Sequence, residues 1–346
     1  MSAADGSRQA SLVRPLAVVA FGGNALLRAE DMGTVDEQKE RADEAAVWLV
    51  DFARRGHDLV VVHGNGPQVG QVLIQMEEAA TKVPPGSLDV AVAQTEGSIG
   101  FLLETALRNR FLEVAAEEGG GGGGAGGHGR DEPEPAVFTV LTLVVVDGDD
   151  PGFRKPTKPI GPYFSRWRAE ALQRDHGWQM VEGDAGRGWR KVVASPRPLE
   201  VLGVAGLRDL LGRGNVVIAG GGGGIPVVRG AGGRLTGVEA VIDKDFTSSL
   251  LARDLAADLF INLTDVPEIR RDFGTEDEEP IRELPLIDAR KLLALGQFPA
   301  GSMGPKVEAG IEFVAATGKK VLVTDVDHLA EALAGEGGTA IVPDGE

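Results

Sequence analysis

Ten lysines stand against 25 arginines in this 346-residue chain, and four of the lysines occupy unusual places. Lys155 and Lys158 belong to the run KPTKPIGP. The prolines there stiffen the backbone, so both ammonium groups are held rather than free to sweep solvent. A solvated loop is the plainer alternative. Lys244 lies between Asp243 and Asp245 at the expected start of a helix. Lys306 follows Gly304-Pro305 at a second helix start, with Ser302 near the cap. A cation in a first helical turn opposes the helix dipole, but it becomes favourable once an anion occupies that N-terminus. The competing reading for this pair is a surface accident.

Glycine supplies the other half of the chemistry. Gly22-Gly23-Asn24, Gly64-Asn65-Gly66 and Gly220–Gly224 each follow an apolar run that reads as a strand. Glycine lets backbone N–H groups approach an anion closely. Any one loop could be a tight turn; three in the same topological place predict an anion-handling crevice. The five-glycine run is flanked by VVIA and IPVV, so it is expected to be buried and ordered beside the sheet. Gly64, Gly66 and Gly70 imitate a dinucleotide fingerprint, but the acidic residue that should end the next strand is missing. The phosphate-loop pattern G-x-x-x-x-G-K-[ST] is absent as well. The five histidines lack metal-ligand spacing, and His63 reads as a packed strand-end residue. Arg187, Arg190 and Lys191 fit basic lid residues or ordinary surface equally well. Asp265, in NLTDVP after a strand, could line a nucleotide pocket or cap the turn.

Positioning these groups requires alternating strands and helices. Strands are expected at Leu16–Phe21, Asp58–His63, Val137–Val146, Val216–Ala219, Leu259–Leu263, Lys320–Val323 and Thr339–Val342. Helices are expected near Val35–Arg55, from Pro67 through Met76, Ala91–Arg110, Gly203–Arg213, from Asp243, from Pro305 and near Asp327–Ala334. Thr34 and Glu37 make a capping-box pattern at the first helix. Alternation over this length predicts an α/β chain with a mostly parallel sheet, whose ligands sit beyond the C-terminal strand ends. The rhythm breaks over 147–198, where prolines and aromatics suggest a small subdomain or lid. Residues 1–14 read as a disordered tail, and EGGGGGGAGGHGR (118–130) as a flexible surface insertion.

Composition excludes several classes. Hydrophobic residues make up 42% of the chain, enough for a core. Without cysteine there is no disulfide or thiolate chemistry, which fits a reducing, cytoplasmic setting. No apolar stretch reaches the ~20 residues that a membrane helix needs. A formal charge of −17 argues against nucleic acid as a partner.

The runs FGGNA, HGNGPQVG, QTEGSIGF, PTKPIGP, GDAGRGWRKVVASPRP, GGGGIPVV, GVEAVIDKDF and AGSMGPK, in this order from Leu16 to Val342, closely resemble carbamate kinases of the amino acid kinase family. PTKPIGP with DAGRGWRKVV points to the carbamate branch rather than to the acetylglutamate, uridylate or aspartate kinases. The resemblance implies a three-layer αβα sandwich around about eight mainly parallel strands, with a small protruding lid at 147–198. Residues 15–346 would form one kinase domain. Within it, 15–200 would hold carbamate and 201–346 the nucleotide. It implies reversible phosphoryl transfer between ATP and carbamate, giving ADP and carbamoyl phosphate, with Mg²⁺ carried by the nucleotide and no metal site of the protein's own. It implies a homodimer and a link to arginine metabolism. By the same resemblance Gly22, Gly23 and Asn24 would meet the phosphates, and Gly64, Asn65 and Gly66 the carbamate. Lys155 and Lys158 would reach the transferred phosphoryl from the lid. Lys244 and Lys306 would act from the nucleotide side, Asp243 would orient lysines, and Met303 and Pro305 would lie in the nucleotide pocket. Another small acid as acceptor, or nucleotide binding without catalysis, are the alternatives.

Overall fold

The computed structural model describes residues 14–22, 31–119, 135–183, 187–299 and 301–345. Eight strands form the main sheet, in the spatial order Glu283–Pro285, Thr339–Val342, Val321–Thr324, Leu259–Leu263, Leu16–Phe21, Asp58–His63, Val216–Ala219, Val137–Val140. Neighbours run parallel except Val321–Thr324 against Thr339–Val342. The central strands LAVVAF, DLVVVH and VVIA are unbroken apolar or nearly apolar runs because both sheet faces are covered.

The period of two along these strands separates the two cores. Ala17, Val19, Phe21, Leu59 and Val61 face helices Val35–Arg54 and Leu88–Gly119. Val18, Ala20, Val60, Val62, Val217 and Ala219 face helices Lys244–Asp254 and Met303–Thr317. Helix, sheet and helix layers follow directly, which makes the αβα sandwich expected from the sequence the observed fold. The capping box at Thr34 forms as well. Glu37 N–H donates to the Thr34 hydroxyl at 3.3 Å, and Thr34 N–H donates to the Glu37 carboxylate at 2.8 Å.

Three expectations need correction. Val137–Val146 is two strands, Val137–Val140 in the main sheet and Leu143–Val146 in a separate four-stranded sheet. The break is at Thr142, whose N–H leaves the ladder for the Glu96 carboxylate at 3.2 Å while its hydroxyl turns back to Val140 O at 2.9 Å. The helix expected over 91–110 runs from Leu88 to Gly119, so Glu118 is helical and pairs with Arg54 rather than opening a flexible insertion. Residues 120–130 of that insertion lie outside the described residues, as do residues 1–13 of the expected tail. Arg14 is anchored, donating to Ala53 O at 2.6 Å and lying beside Asp58.

The segment after Val146 makes the small subdomain. Strands Lys158–Phe164, Trp189–Val193 and Met180–Glu182 form an antiparallel sheet with helix Arg166–His176 upon it. Its own core is Ala169, Leu172, Trp178 and Met180. It is docked to helix Gly66–Ala79 at a point that tolerates no side chain: a Cβ on Gly70 would lie 2.0 Å from the Gly161 Cα. Alongside, Glu77 accepts from the Trp178 indole at 2.8 Å and pairs with Lys191, whose ammonium sits 3.9 Å above the Trp178 ring.

Candidate active site

Beyond the C-terminal ends of the central strands lies a cleft of about 220 Å³. Its walls begin where strands stop. Gly22 follows Leu16–Phe21, Gly64 and Asn65 follow Asp58–His63, Gly222 belongs to the loop after Val216–Ala219, and Thr264 and Asp265 follow Leu259–Leu263. Lys158, Pro159 and Arg190 enter from the small subdomain. Asp243, Lys244 and Asp245 open helix Lys244–Asp254, and Ser302 and Lys306 lie at the start of helix Met303–Thr317. Both helix N-termini therefore border the cleft, bringing the positive ends of two dipoles to one place.

The lysines are held by carboxylates. Lys158 Nζ donates to Asp243 Oδ2 at 2.5 Å, across 85 residues of sequence and from the lid to the opposite half. The other oxygen of Asp243 caps its own helix, accepting from Asp245 N–H at 3.1 Å. Asp245 receives Lys244 at 2.6 Å and Lys306 at 3.1 Å. Asn262 joins them, donating to Asp245 at 3.0 Å and accepting from Lys306 at 3.3 Å. Lys244, Asp245, Asn262 and Lys306 are all buried.

Burial sets the electrostatics. It pulls the Lys244 ammonium below its ordinary value even with Asp245 beside it. Burial opposes the Lys306 charge too, but Asp245 and Asp243 hold that ammonium above its ordinary value. The Asp245 carboxyl is also penalised by burial, yet Lys244 and Lys306 keep it well below the usual carboxylate range. Burial likewise lowers Arg190, whose Nε donates to Gly161 O at 2.9 Å and whose guanidinium lies 5.3 Å from the Tyr163 ring centre. Lys158, Lys244 and Lys306 are matched in number by Asp243, Asp245 and Asp265 in the lining, and Arg190 tips the balance to positive. Such a surface suits an anion of high charge, held by side-chain cations and by the amides of the helix starts and glycine loops.

Of the residues singled out from sequence, Lys158, Lys244, Lys306, Asp243, Asp265, Gly22, Gly64, Asn65 and Gly66 line this one cleft. Gly23 and Asn24 lie outside the described residues. Lys155 is exposed at the end of helix Pro151–Arg154, outside the lining. Met303 packs against the core instead, and Pro305 sits half-buried in the same first turn. Ser302 occupies the N-cap position but makes no side-chain cap bond. Sequence reasoning assigned the orienting carboxylate to Asp243 alone and missed Asp245 and Asn262. Asp245 was visible as the second acidic neighbour of Lys244. Asn262 was visible as a polar residue inside the apolar run LFINL.

Among the described residues no group of three histidine or acidic side chains is arranged to hold a metal ion. Two of the cleft carboxylates, Asp243 and Asp245, are engaged by lysines.

Comparison with known proteins agrees with this geometry. The amino acid kinase family profile matches residues 15–325. The carbamate kinase of Halobacterium salinarum is 43% identical over 327 residues, covering 94% of this chain and 98% of that protein. That of Pyrococcus furiosus is 39% identical over 328 residues, again covering 94% and 98%. Among solved structures, carbamate kinase from Giardia lamblia bound to citric acid superposes with a TM-score of 0.86 at 37% identity, covering 96% of this chain and 99% of that one. The same enzyme bound to AMP-PNP gives 0.81 at 36% identity, with coverage of 96% and 99%. Full-length similarity to enzymes of one activity leads to one assignment: the chain belongs to the amino acid kinase family and, within it, groups with the carbamate kinases.

Proposed function

We infer that this chain is a carbamate kinase, catalysing ATP + carbamate ⇌ ADP + carbamoyl phosphate. The observation that carries the reading is the convergence of Lys158, Lys244 and Lys306 on Asp243 and Asp245 in a single cleft walled by glycine loops. Phosphoryl transfer demands positioning and charge stabilisation more than covalent help from the protein. Carbamate brings an anionic oxygen of its own, so the reaction needs no general base.

In this reading the carbamate oxygen attacks the terminal phosphorus of ATP, a P–O bond to carbamate forms, and the bond to the ADP oxygen breaks. Lys158 leaves Asp243 to follow the equatorial oxygens of the moving phosphoryl, with Lys244 opposite it. Lys306 neutralises the nucleotide phosphates from the first turn of its helix. Asp245 and Asn262 hold the last two lysines apart and aimed. Gly64, Asn65 and Gly66 border the carbamate side, with Arg190 above them. Gly22 with Gly23 and Asn24 meets the phosphates, and Asp265, Met303 and Pro305 belong to the nucleotide side. Lys155 reaches the phosphoryl only after the lid shifts. Magnesium, bound to the nucleotide, would supply further neutralisation of phosphate charge.

The family resemblance further supports a homodimer, a cytoplasmic location and a role in arginine metabolism. No helix among the described residues is long and apolar enough to cross a membrane. The deciding experiment is turnover of ADP with carbamoyl phosphate and Mg²⁺, read as ATP formed through a coupled assay. ATP formation supports the reading. Transfer to a different small acid instead would move the chain to another branch of the family, and nucleotide binding without any transfer would remove it from the enzymes.

A further inference from the structure

The mechanism above gives no part to the run ASPRP, where the small subdomain returns to the rest of the chain. Arg197 stands there between Pro196 and Pro198, two residues with fixed φ that stiffen the backbone around it. Its N–H donates to Asp150 Oδ2 at 3.0 Å, on the segment by which the chain enters the subdomain. The other oxygen of Asp150 caps helix Pro151–Arg154 through Gly152 N–H at 2.6 Å. Entry and return are therefore bonded to one another. Just beyond Arg197, strand Pro198–Val201 pairs with Leu143–Val146. Just before it, Ala194 O accepts from Val241 N–H at 2.9 Å, on the approach to helix Lys244–Asp254.

From this fixed base the Arg197 side chain reaches both helices that carry cleft lysines. Its guanidinium carbon lies 3.5 Å from the centre of the Phe246 ring, two residues after Lys244. Its Nη2 donates to Glu308 at 2.5 Å, two residues after Lys306, and to Glu312 at 2.9 Å, one turn further on. A planar guanidinium can lie on an aromatic ring and still donate within its own plane, which a lysine ammonium cannot. The two helices also meet directly, where Ser249 Oγ donates to Ala309 O at 2.9 Å. With 40% of the Arg197 side chain exposed, these ion pairs add little to the stability of the whole fold. What they fix is the place of two helix starts against the subdomain base.

We propose that Arg197 is a positioning residue: it holds the starts of helices Lys244–Asp254 and Met303–Thr317 against the base of the small subdomain, and so keeps Lys244 and Lys306 in place while Lys158 exchanges Asp243 for the moving phosphoryl. The inference rests on the phosphoryl-transfer reading given above. Asp245 holds Lys244 and Lys306 relative to each other. Within the cleft, Asp243 ties them to the lid through Lys158, and that tie opens during transfer. The clamp at Arg197 remains. Arg197 is not part of the cleft lining and touches no reacting group. A cavity of about 310 Å³ adjoins it, walled in part by Phe246, Arg253 and Glu312. A small planar cation has room there to replace a truncated side chain.

Amide hydrogen exchange on the ligand-free protein tests the clamp without reference to the reaction. In Arg197→Ala, amides in the first two turns of both helices should exchange on the order of threefold to tenfold faster, with strand Leu16–Phe21 unchanged. Unchanged exchange at the helices, or a uniform rise that includes the strand, overturns the proposal. Turnover of ADP with carbamoyl phosphate tests the consequence. Small misplacements of reacting groups are costly, so kcat in Arg197→Ala should fall at least about tenfold, with both KM values within about threefold of wild type. Millimolar guanidinium should restore that kcat severalfold, and sodium chloride at equal ionic strength should not. A wild-type kcat in the variant, a loss confined to KM, or an equal response to the two salts overturns the proposal. Absence of turnover in the wild type counts against the carbamate reading, and the exchange result then decides the clamp by itself.

Discussion

At the scale of single residues, Asp245 is the organising charge. It is buried beneath two lysines and an asparagine and satisfies all three. Removing its charge while leaving the shape, as in Asp245→Asn, strands two ammonium groups in a buried place. The expected result is a loss of about 3–5 kcal/mol in unfolding free energy, measurable by urea titration, together with loss of turnover. An unchanged midpoint would show that the lysines find water or other partners. On the proposed reading, Lys158→Ala and Lys244→Ala remove the two cations assigned to the moving phosphoryl. Each is expected to lower kcat on the order of 10²-fold or more, with KM changed less. Near-normal kcat in both would remove these lysines from the reaction. Because burial lowers Lys244, its charge is lost below the ordinary lysine value of about 10.4. The alkaline limb of the kcat profile should therefore fall earlier than a free lysine would dictate.

At the scale of elements, strand ends and helix starts do the positioning, and glycines decide how closely they meet. Gly222 combines φ of 67° with a wall formed by Asn65. Gly222→Ala is expected to push Asn65 off its 3.0 Å bond to Thr95 and to lower kcat/KM at least tenfold, while thermal stability falls only modestly. Equal losses in stability and activity would argue for general unfolding of the loop instead. The lid is joined to helix Gly66–Ala79 by the Gly70–Gly161 contact and by the Glu77, Trp178 and Lys191 group. It is joined to the opposite half through Lys158 and Asp243. Further along the same segment Arg197 pairs with Glu308 and Glu312, and the Ala194 carbonyl accepts from Val241 N–H at 2.9 Å, so several contacts tie it to the opposite half.

For the whole molecule, charge and pH set the limits. The formal charge of −17 favours expansion of the chain by self-repulsion. Adding salt from about 10 mM to about 1 M should raise the melting temperature by screening; a flat or falling Tm would show that the acidic groups are already neutralised locally. Two buried carboxyls give opposite pH dependences. Asp245 lies below its unfolded value, so its contribution is present above that value and is lost as pH falls through the range beneath it. Glu96 lies above its unfolded value, so the folded state keeps a proton that the unfolded state has released. Stability consequently declines as pH rises from the ordinary glutamate range to about 8. Tm measured from pH 3 to 9 should peak on the acidic side of neutrality, and Glu96→Gln should flatten the alkaline descent.

The sequence by itself determined the layer architecture, because unbroken apolar runs must be covered on both faces and the runs between them have helical period. It determined most of the cleft as well. A parallel sheet puts every strand-to-helix loop at one end, so Gly22, Gly64 and Asp265 had to be neighbours. Lysines misplaced in first helical turns marked the cleft they line. What only the tertiary structure decided were relationships between distant pieces. That Asp243 takes the lid lysine and Asp245 the other two depends on side-chain direction at a helix cap, where adjacent residues diverge. That Thr142 ends one strand and starts another depends on Glu96, 46 residues earlier, offering a stronger acceptor than the ladder. Local propensity specifies the backbone of each piece. Which polar atoms meet across the fold follows only from closing it, since burial then requires every donor and acceptor to find a partner.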